Sequence, residues 1–400
     1  MEASRASMRP SLLLVMEPLI GGTLRHLEYL LAHTSPDEFE VHLAVSAERA
    51  PAVRERFAAW GAAGFHMHEV AMRRAVCPVR DSVALGRLVA LCRRERFDVV
   101  HTHSSKAGVL GRLAARLTGA RTVHTPHVFA FDRIAPGRCY LAIERLAARW
   151  TDRLVVLSDY QLHQVYRYGL LPPERVSKVP NGVDPTLFGG CGRGAARVRL
   201  GLDADAGVAL FMGRFCLQKG AETALAAAEM LLAGGERFVL AMVGTGPEES
   251  GLRRQVERAG LGRSVRFFGP TDEAPLFYAA CDVVVAPSRY EGMSYVMLEA
   301  KAAGRAIVTT VVSGMEEFVR HGHDGFLIPP DNAEMLADAL RGLAARREEL
   351  DRMGGRGREG MPLAWHAEQT ARALQAIYRA EAVAGAQREA RRGDETPRRA

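Results

Sequence analysis

The sequence predicts an α/β protein made of two doubly wound domains, each a parallel sheet covered by helices on both faces. Two observations carry this. Short apolar runs alternate with longer helical patterns along nearly all of the 400 residues, as βα units on a parallel sheet require. The series then restarts after a Pro-, Gly- and Asn-rich stretch, Val179 to Gly194, that reads as an inter-domain linker. In the first half the candidate strands are 11–16 (SLLLVM), 40–46 (EVHLAVS), 98–103 (DVVHTH), 121–125 (RTVHT) and 153–157 (RLVVL). Those of the second are 207–213 (GVALFMG), 238–243 (FVLAMV), 264–268 (SVRFF), 282–286 (DVVVA) and 306–310 (AIVTT). Most are near-continuous apolar runs, the pattern of strands buried on both faces. Helical patterns at 332–350 and 366–380 follow, the second with Trp365 and Tyr378 at its edges. The expected domains are therefore 1–190 and 191–362, with a helix at 363–382 returning to the first domain and a disordered tail at 383–400, where apolar periodicity ends. Two such domains place a crevice at the carboxyl ends of their strands, where ligands of these sheets bind.

Composition narrows the classes. With 48% hydrophobic and 25% charged residues the chain is an ordinary globular protein, which excludes a disordered or collagen-like polymer. The longest apolar run near the start, Leu12 to Met16, is far short of the roughly 20 residues of a membrane span, so a cytoplasmic protein is expected. Six cysteines (Cys77, Cys92, Cys139, Cys191, Cys216 and Cys281) lie scattered without a C-x-x-C pair, which argues against a zinc knuckle or a disulfide framework. Residues 1–190 carry 25 Lys and Arg against 18 Asp and Glu, whereas 191–400 carry 28 of each, so the whole excess of +7 sits in the first half. The four lysines are Lys106, Lys178, Lys219 and Lys301.

Three stretches carry chemistry. Ala286 to Gly304 (APSRYEGMSYVMLEAKAAG) follows an apolar strand and holds Glu291 and Glu299. If all eight steps between them were helical, their backbones would stand about 12 Å apart. That is too far for a glycosidase carboxylate pair, which needs roughly 5–9.5 Å, and suits two contacts along one extended ligand. Gly292 and Ser294 fall where a loop becomes a helix, whose free N–H groups and dipole favour phosphate. Residue chemistry alone leaves a structural role for both glutamates equally open. In Phe211 to Gly220 (FMGRFCLQKG), Arg214 can fork onto a phosphate and Lys219 can add a point charge, as a diphosphate leaving group needs. A surface arginine and a helix-opening lysine is the alternative. In Gly21 to His26 (GGTLRH) two glycines let backbone approach a ligand directly after the first strand.

With HTHSSKAG (His101 to Gly108), HTPH (His124 to His127) and VPNGVD (Val179 to Asp184), these stretches resemble the retaining nucleotide-sugar glycosyltransferases of the glycogen-synthase-like, group 1 superfamily. Their fold is GT-B, two Rossmann-like domains facing across a cleft. The resemblance spans about residues 11–380, and the SSKAG and TPH segments look like the bacterial members that build surface polysaccharide. It implies that Glu291 touches the donor sugar's hydroxyls and that Glu299 binds the nucleotide ribose. Arg214 and Lys219 match the basic pair on the diphosphate, and Gly21 and Gly22 match the glycine loop that closes on the phosphates. His127 matches the histidine near the reacting sugar, while Gly292, Met293 and Ser294 would hold the β-phosphate and sugar. The implied catalytic set is His127, Arg214, Lys219 and Glu291. Departures are Ser313 for the first glycine of a G-G-x-x-E element whose acid is Glu317, Val128 after the histidine, Lys301 for an apolar or amide residue, and Arg305-Ala306 for an apolar-proline pair. They leave donor sugar and acceptor open.

The resemblance thus implies a retaining hexosyl- or N-acetylhexosaminyltransferase acting on a lipid-linked or polysaccharide acceptor. The alternatives are a soluble enzyme using a small-molecule or sugar-phosphate acceptor, and a catalytically idle partner subunit. No cofactor and no metal is expected, the nucleotide-sugar being a substrate. His101, His103, His124 and His127 have no acidic or cysteine partner nearby in sequence, so they are read as hydrogen-bonding and packing groups rather than metal ligands. Asp203-Ala204-Asp205 is read as surface, and Gly244 to Gly251 as a strand-to-helix turn whose third glycine is misplaced for a dinucleotide fingerprint, which disfavours an NAD-dependent dehydrogenase. Arg80, Arg87 and Arg94 recur every seven residues beside Arg73, Arg74, Arg93 and Arg96. The stripe suits either a solvated helix face or peripheral contact of the first domain with an anionic membrane at its inner face. No nucleic-acid module is present.

Overall fold

The computed structural model describes residues 9–73, 75–132 and 137–394; Arg74 lies outside them. The chain divides into two compact units, one running to Pro180 and resuming at Ala367, the other Asn181–His366.

In the first unit seven parallel strands, β1 (Ser11–Met16), β2 (Glu40–Val45), β3 (His66–Glu69), β4 (Val99–His103), β5 (Arg121–Thr125), β6 (Arg153–Val156) and β7 (Val176–Lys178), lie in the order β3-β2-β1-β4-β5-β6-β7. The chain reverses direction across the sheet between β1 and β4, the switch point where such sheets bind ligands. Alternation along β1 supplies both cores. Leu12, Leu14 and Met16 pack with Leu27, Leu30 and Leu31, whereas Leu13 and Val15 face Leu88, Leu110 and Ala114.

The helix Ala367–Asp394 lays Ala371, Leu374 and Tyr378 on the first of these cores. The Tyr378 hydroxyl lies 2.7 Å from His101 Nδ1, and buried Glu381 pairs with Arg121 and, at 3.2 Å, with Arg153. This helix corrects the expectation of disorder from residue 383. It continues to Asp394, because Glu381 and Ala382 anchor it on the first unit and the Ala-, Glu- and Arg-rich sequence beyond has high helix propensity. Residues 395–400 lie outside the described residues.

The second unit has six parallel strands, β8 (Gly207–Met212), β9 (Phe238–Val243), β10 (Val265–Phe268), β11 (Val283–Ala286), β12 (Ala306–Thr310) and β13 (Gly325–Ile328), in the order β10-β9-β8-β11-β12-β13. Its switch point lies between β8 and β11. The helical pattern at 332–350 is two helices, Ala333–Leu340 and Arg347–Glu359, parted near Gly342, whose φ of 65° ends the first. The division between the units falls at Pro180 rather than near residue 190. Asn181 belongs with the second unit because its side-chain amide donates to the Met293 carbonyl at 2.9 Å. Val183 N–H likewise donates to Trp365 O at 3.0 Å, and Trp365 packs on Phe318, so the unit holds both segments that lead out of it.

Candidate active site

At the carboxyl end of β8 the chain turns through Gly213 (φ 152°) into Arg214 and on to Lys219 and Gly220 (φ 66°). A Cβ on Gly220 would lie 2.1 Å from the Pro287 carbonyl oxygen, so only glycine lets this loop press against the one after β11. The turn after β9 closes in from the other side. Gly244 and Gly246 would bring a Cβ to 2.0 Å from Gly213 O and 2.2 Å from Phe215 O, and Phe215 N–H donates to Thr245 O at 3.0 Å. Gly244 and Gly246 thus serve loop-on-loop packing. They fix the path on which Arg214 and Lys219 sit.

Lys219 pairs with Glu291, which is 8% exposed and also accepts from Ser288 Oγ at 3.0 Å. Half-buried Arg214 forms no hydrogen bond or ion pair among the described residues, so its guanidinium fork is available. Glu291 lies in the loop after β11, and only from Tyr295 is the chain helical, through Ala302. The glutamates are therefore not on one continuous helix. Ser294 occupies the N-cap in extended conformation without using its side chain, so the first N–H groups of the helix keep no side-chain cap. Met293 is held from behind by Asn181, which explains the VPNGVD segment. Phe211, Lys219, Ser288, Glu291 and Ser294 line one small recess. One turn into the helix, Glu299 is 4% exposed and accepts from the buried Tyr278 hydroxyl at 2.8 Å. Sequence reasoning missed Tyr278; its distance in the chain from Glu299 left no signal.

Two departures acquire physical reasons. Buried Lys301 makes an ion pair with Asp324 at 2.7 Å, and Asp324 also accepts from Arg320 N–H at 2.8 Å, so the cation is locally neutralised. Ser313 stands at φ 52°, a left-handed conformation that favours the glycine it replaces. Glu317 lies exposed on the short turn Met315–Glu317, and Asp203 pairs with Arg237 at the surface, 3.0 Å apart.

In the first unit Gly21, exposed at φ 54°, precedes the helix Gly22–Ala32 with nothing within 4 Å of where its Cβ would be. The histidines gather at the carboxyl ends of β4 and β5. His103 Nδ1 and His127 Nε2 are 3.1 Å apart, and His26, which no sequence argument singled out, brings its ring to 5.2 and 5.0 Å from theirs. One ring nitrogen from each of the three lies within 4.8 Å of the others. His101 bonds Thr125 at 2.9 Å and Tyr378, and His124 bonds Thr102 at 2.9 Å. The sequence placed no acid near these histidines, but the fold brings the Glu144 carboxylate to 4.0 Å from His124 Nε2 while pairing it with buried Arg112. Burial holds His101, His103, His124 and His127 well below the ordinary imidazole value, so all four are neutral at pH 7. His127 has a φ of 55° and its carbonyl accepts from Gln161 at 2.8 Å, which fixes the ring's approach.

A fold of two such sheets, with cations, buried carboxylates and an open helix start at the strand carboxyl ends of the second, fits a glycosyltransferase of the GT-B type. Residues 193–360 match the family described as glycosyl transferases group 1, residues 20–187 match glycosyltransferase family 4, and the chain belongs to the group 1 glycosyltransferases. It is 33% identical over 273 residues to the UDP-Gal:alpha-D-GlcNAc-diphosphoundecaprenol alpha-1,3-galactosyltransferase of Escherichia coli, covering 66% of this chain and 70% of that one. Likewise it is 35% identical over 307 residues to the D-inositol 3-phosphate glycosyltransferase of Geodermatophilus obscurus, covering 72% and 67%. Among solved structures, Anabaena HepE in complex with UDP superposes with a TM-score of 0.76 at 19% identity, covering 93% of this chain and 100% of that one. WaaG, a glycosyltransferase involved in lipopolysaccharide biosynthesis, does so with 0.71 at 18% identity, covering 91% and 99%.

Proposed function

We propose that this glycosyltransferase moves a hexosyl or N-acetylhexosaminyl group from a UDP-sugar to a lipid-linked or polysaccharide acceptor in surface-glycan synthesis, with retention of configuration. The observation that carries the reading is the meeting of Arg214, Lys219, Glu291 and the Ser294 helix start at the switch point of the second sheet, with Glu299 one turn further on. Breaking the anomeric C–O bond develops positive charge on the sugar and negative charge on the departing diphosphate. Fixed cations at Arg214 and Lys219 stabilise that separation more than the ground state. Glu291 turns from Lys219 to the sugar hydroxyls as the diphosphate takes over the lysine, and Glu299, braced by Tyr278, accepts from the ribose. Backbone groups of Gly292, Met293 and Ser294 hold the β-phosphate and sugar. In the first unit Gly21 and Gly22 admit the phosphates, and neutral His127 hydrogen-bonds the reacting sugar. The acceptor oxygen attacks from the leaving-group side and its proton passes to the departing phosphate oxygen, so no protein nucleophile and no metal is used.

A lipid-linked acceptor is supported by the E. coli relative, whose name carries a diphosphoundecaprenol acceptor. Support also comes from the helix Pro78–Glu95, which exposes Val79 (75%) and Val83 (54%) beside Arg80 and Arg87. Among the described residues no helix is long and apolar enough to cross a membrane. On the proposed reading this helix lies on the inner leaflet from the cytoplasmic side. The D-inositol 3-phosphate relative favours a second reading, a soluble sugar-phosphate acceptor. Incubation of the enzyme with UDP-sugars and either undecaprenyl-diphosphate-linked GlcNAc or inositol phosphate separates the two. The proposal expects an α-linked product on the lipid; transfer only to the soluble acceptor, or a β-linked product, overturns it.

A further inference from the structure

Away from the candidate active site, the outer edge of the first sheet carries a second group of metal-ligating side chains. Glu40 and His42 stand two residues apart on β2 and so share a face. The edge strand β3 runs parallel to β2 in a register that sets His66 opposite His42, and His68 follows two residues on. One ligand atom from each of Glu40, His42 and His66 lies within 4.8 Å of the others. His42 Nε2 is 3.5 Å from Glu40 Oε1, and the His42 and His66 ring centroids are 4.4 Å apart. Ligand atoms around a tetrahedral zinc ion, each about 2.0–2.2 Å from the metal, stand roughly 3.3 Å from one another.

The polar bookkeeping points to the same place. His42 is 4% exposed and its Nε2 makes no well-formed hydrogen bond among the described residues, its nearest polar neighbour being the Glu40 carboxylate at 3.5 Å. Its other nitrogen, Nδ1, lies 2.9 Å from His68 Nε2. A metal-bound imidazole characteristically has such a second partner to fix its tautomer and ring plane. Phe97 packs edge-on against His42 at 5.0 Å and holds the ring from the side. His66 is exposed and the Glu40 side chain is 38% exposed, so an ion has an entry path and two ligands have room to close on it.

We propose that Glu40, His42 and His66 form a binding site for one divalent transition-metal ion of the zinc class, with His68 orienting His42 and solvent filling the remaining position. Two imidazoles and one carboxylate favour Zn²⁺, Co²⁺ or Ni²⁺ over the all-oxygen ions Mg²⁺ and Ca²⁺. The ion would clip β3, a four-residue strand at the sheet edge, onto β2, and binding the folded state alone it would raise the melting temperature.

The test is calorimetric titration of chelator-treated, tag-free full-length protein with Zn²⁺, paired with Co²⁺ absorption to report tetrahedral ligation. Wild-type protein and the variants H66A, E40Q, H68F and H103A are compared. The last removes a member of the other histidine group, so the two groups are told apart. The proposal expects one Zn²⁺ that is lost in H66A, weakened in E40Q, weakened about 10-fold or more in H68F and retained in H103A. The Zn²⁺-dependent rise in melting temperature should vanish in H66A, whose exposed position leaves the metal-free fold intact. Absence of Zn²⁺ binding by wild-type protein, unchanged binding in H66A, or loss in H103A with retention in H66A would overturn it.

Discussion

Replacing Lys219 by Met should cost more stability than replacing Glu291 by Gln, and the two changes together should cost less than their sum. Side-chain exposure is 24% for Lys219 and 9% for Glu291. Without the lysine, a nearly buried carboxylate keeps Ser288 Oγ as a donor, 3.0 Å away. Breaking a fully buried pair costs about 3–5 kcal/mol; with the lysine a quarter exposed, about 2.5 kcal/mol is expected. In Glu291→Gln the amide keeps the Ser288 bond and the freed ammonium reaches water, so about 1 kcal/mol is lost. A coupling of about 1.5 kcal/mol then puts the double variant near 2 kcal/mol rather than 3.5. Urea unfolding followed by circular dichroism, with m-values checked for constancy, gives all four corners of the cycle. Costs that add within about 0.5 kcal/mol, or a larger loss in Glu291→Gln, would refute the pairing.

Lys301→Met leaves Asp324 buried with the Arg320 N–H as its carboxylate's partner among the described residues and should lower the melting temperature of the second unit by roughly 6–20 °C, from about 3–5 kcal/mol at 2–4 °C each; differential scanning calorimetry reads this, and a fall under about 2 °C would contradict it. Ser313→Gly removes a left-handed non-glycine residue and should stabilise by up to about 1 kcal/mol, checked in the same urea assay, a net loss being the contrary result. Gly246→Ala forces the Phe215 loop to move and should weaken UDP binding at least tenfold while circular dichroism stays unchanged; equal affinity would show that this loop does not position the site. For the buried histidines the folded pKa lies below the unfolded 6.5, so their neutral burial is without cost above about pH 7 and becomes costly as pH falls through 6.5. The first unit should therefore melt lower at pH 5.5 than at pH 7.5, and a flat profile would contradict the burial.

Legibility in the sequence followed the size of the physical signal. The central strands β1, β8, β9 and β11 are near-continuous apolar runs, and the two-sheet architecture followed from them. Strands β3, β7 and β13 escaped notice. HMHE and VSK sit at an edge where few apolar residues are needed, and GFLI is too short to stand out among neighbouring turns. Because β3 was unseen, His66 and His68 had no partner strand, and their alignment with His42 could not be read. Motif spacing linked Arg214, Lys219, Glu291 and Glu299, since each lies in one of two local patterns that follow a strand, Glu299 on the helix that opens at Tyr295. Long-range pairings left no such trace: Tyr278 under Glu299, Asp324 under Lys301, His26 beside His103 and Glu381 between Arg121 and Arg153 depend on which elements become neighbours. The tail was misread because Ala-, Glu- and Arg-rich helix lacks an apolar stripe, and its anchor at Glu381 is an ion pair rather than a periodicity.

In the proposed reading the second unit binds the donor through Arg214, Lys219 and Glu299. Isothermal titration of UDP and UDP-sugars into wild-type, Arg214→Ala and Glu299→Ala proteins without added metal tests it most directly. One nucleotide bound by wild-type protein, with affinity reduced at least tenfold in each variant while both variants remain folded, is the predicted result. Undiminished UDP affinity in both folded variants would contradict it.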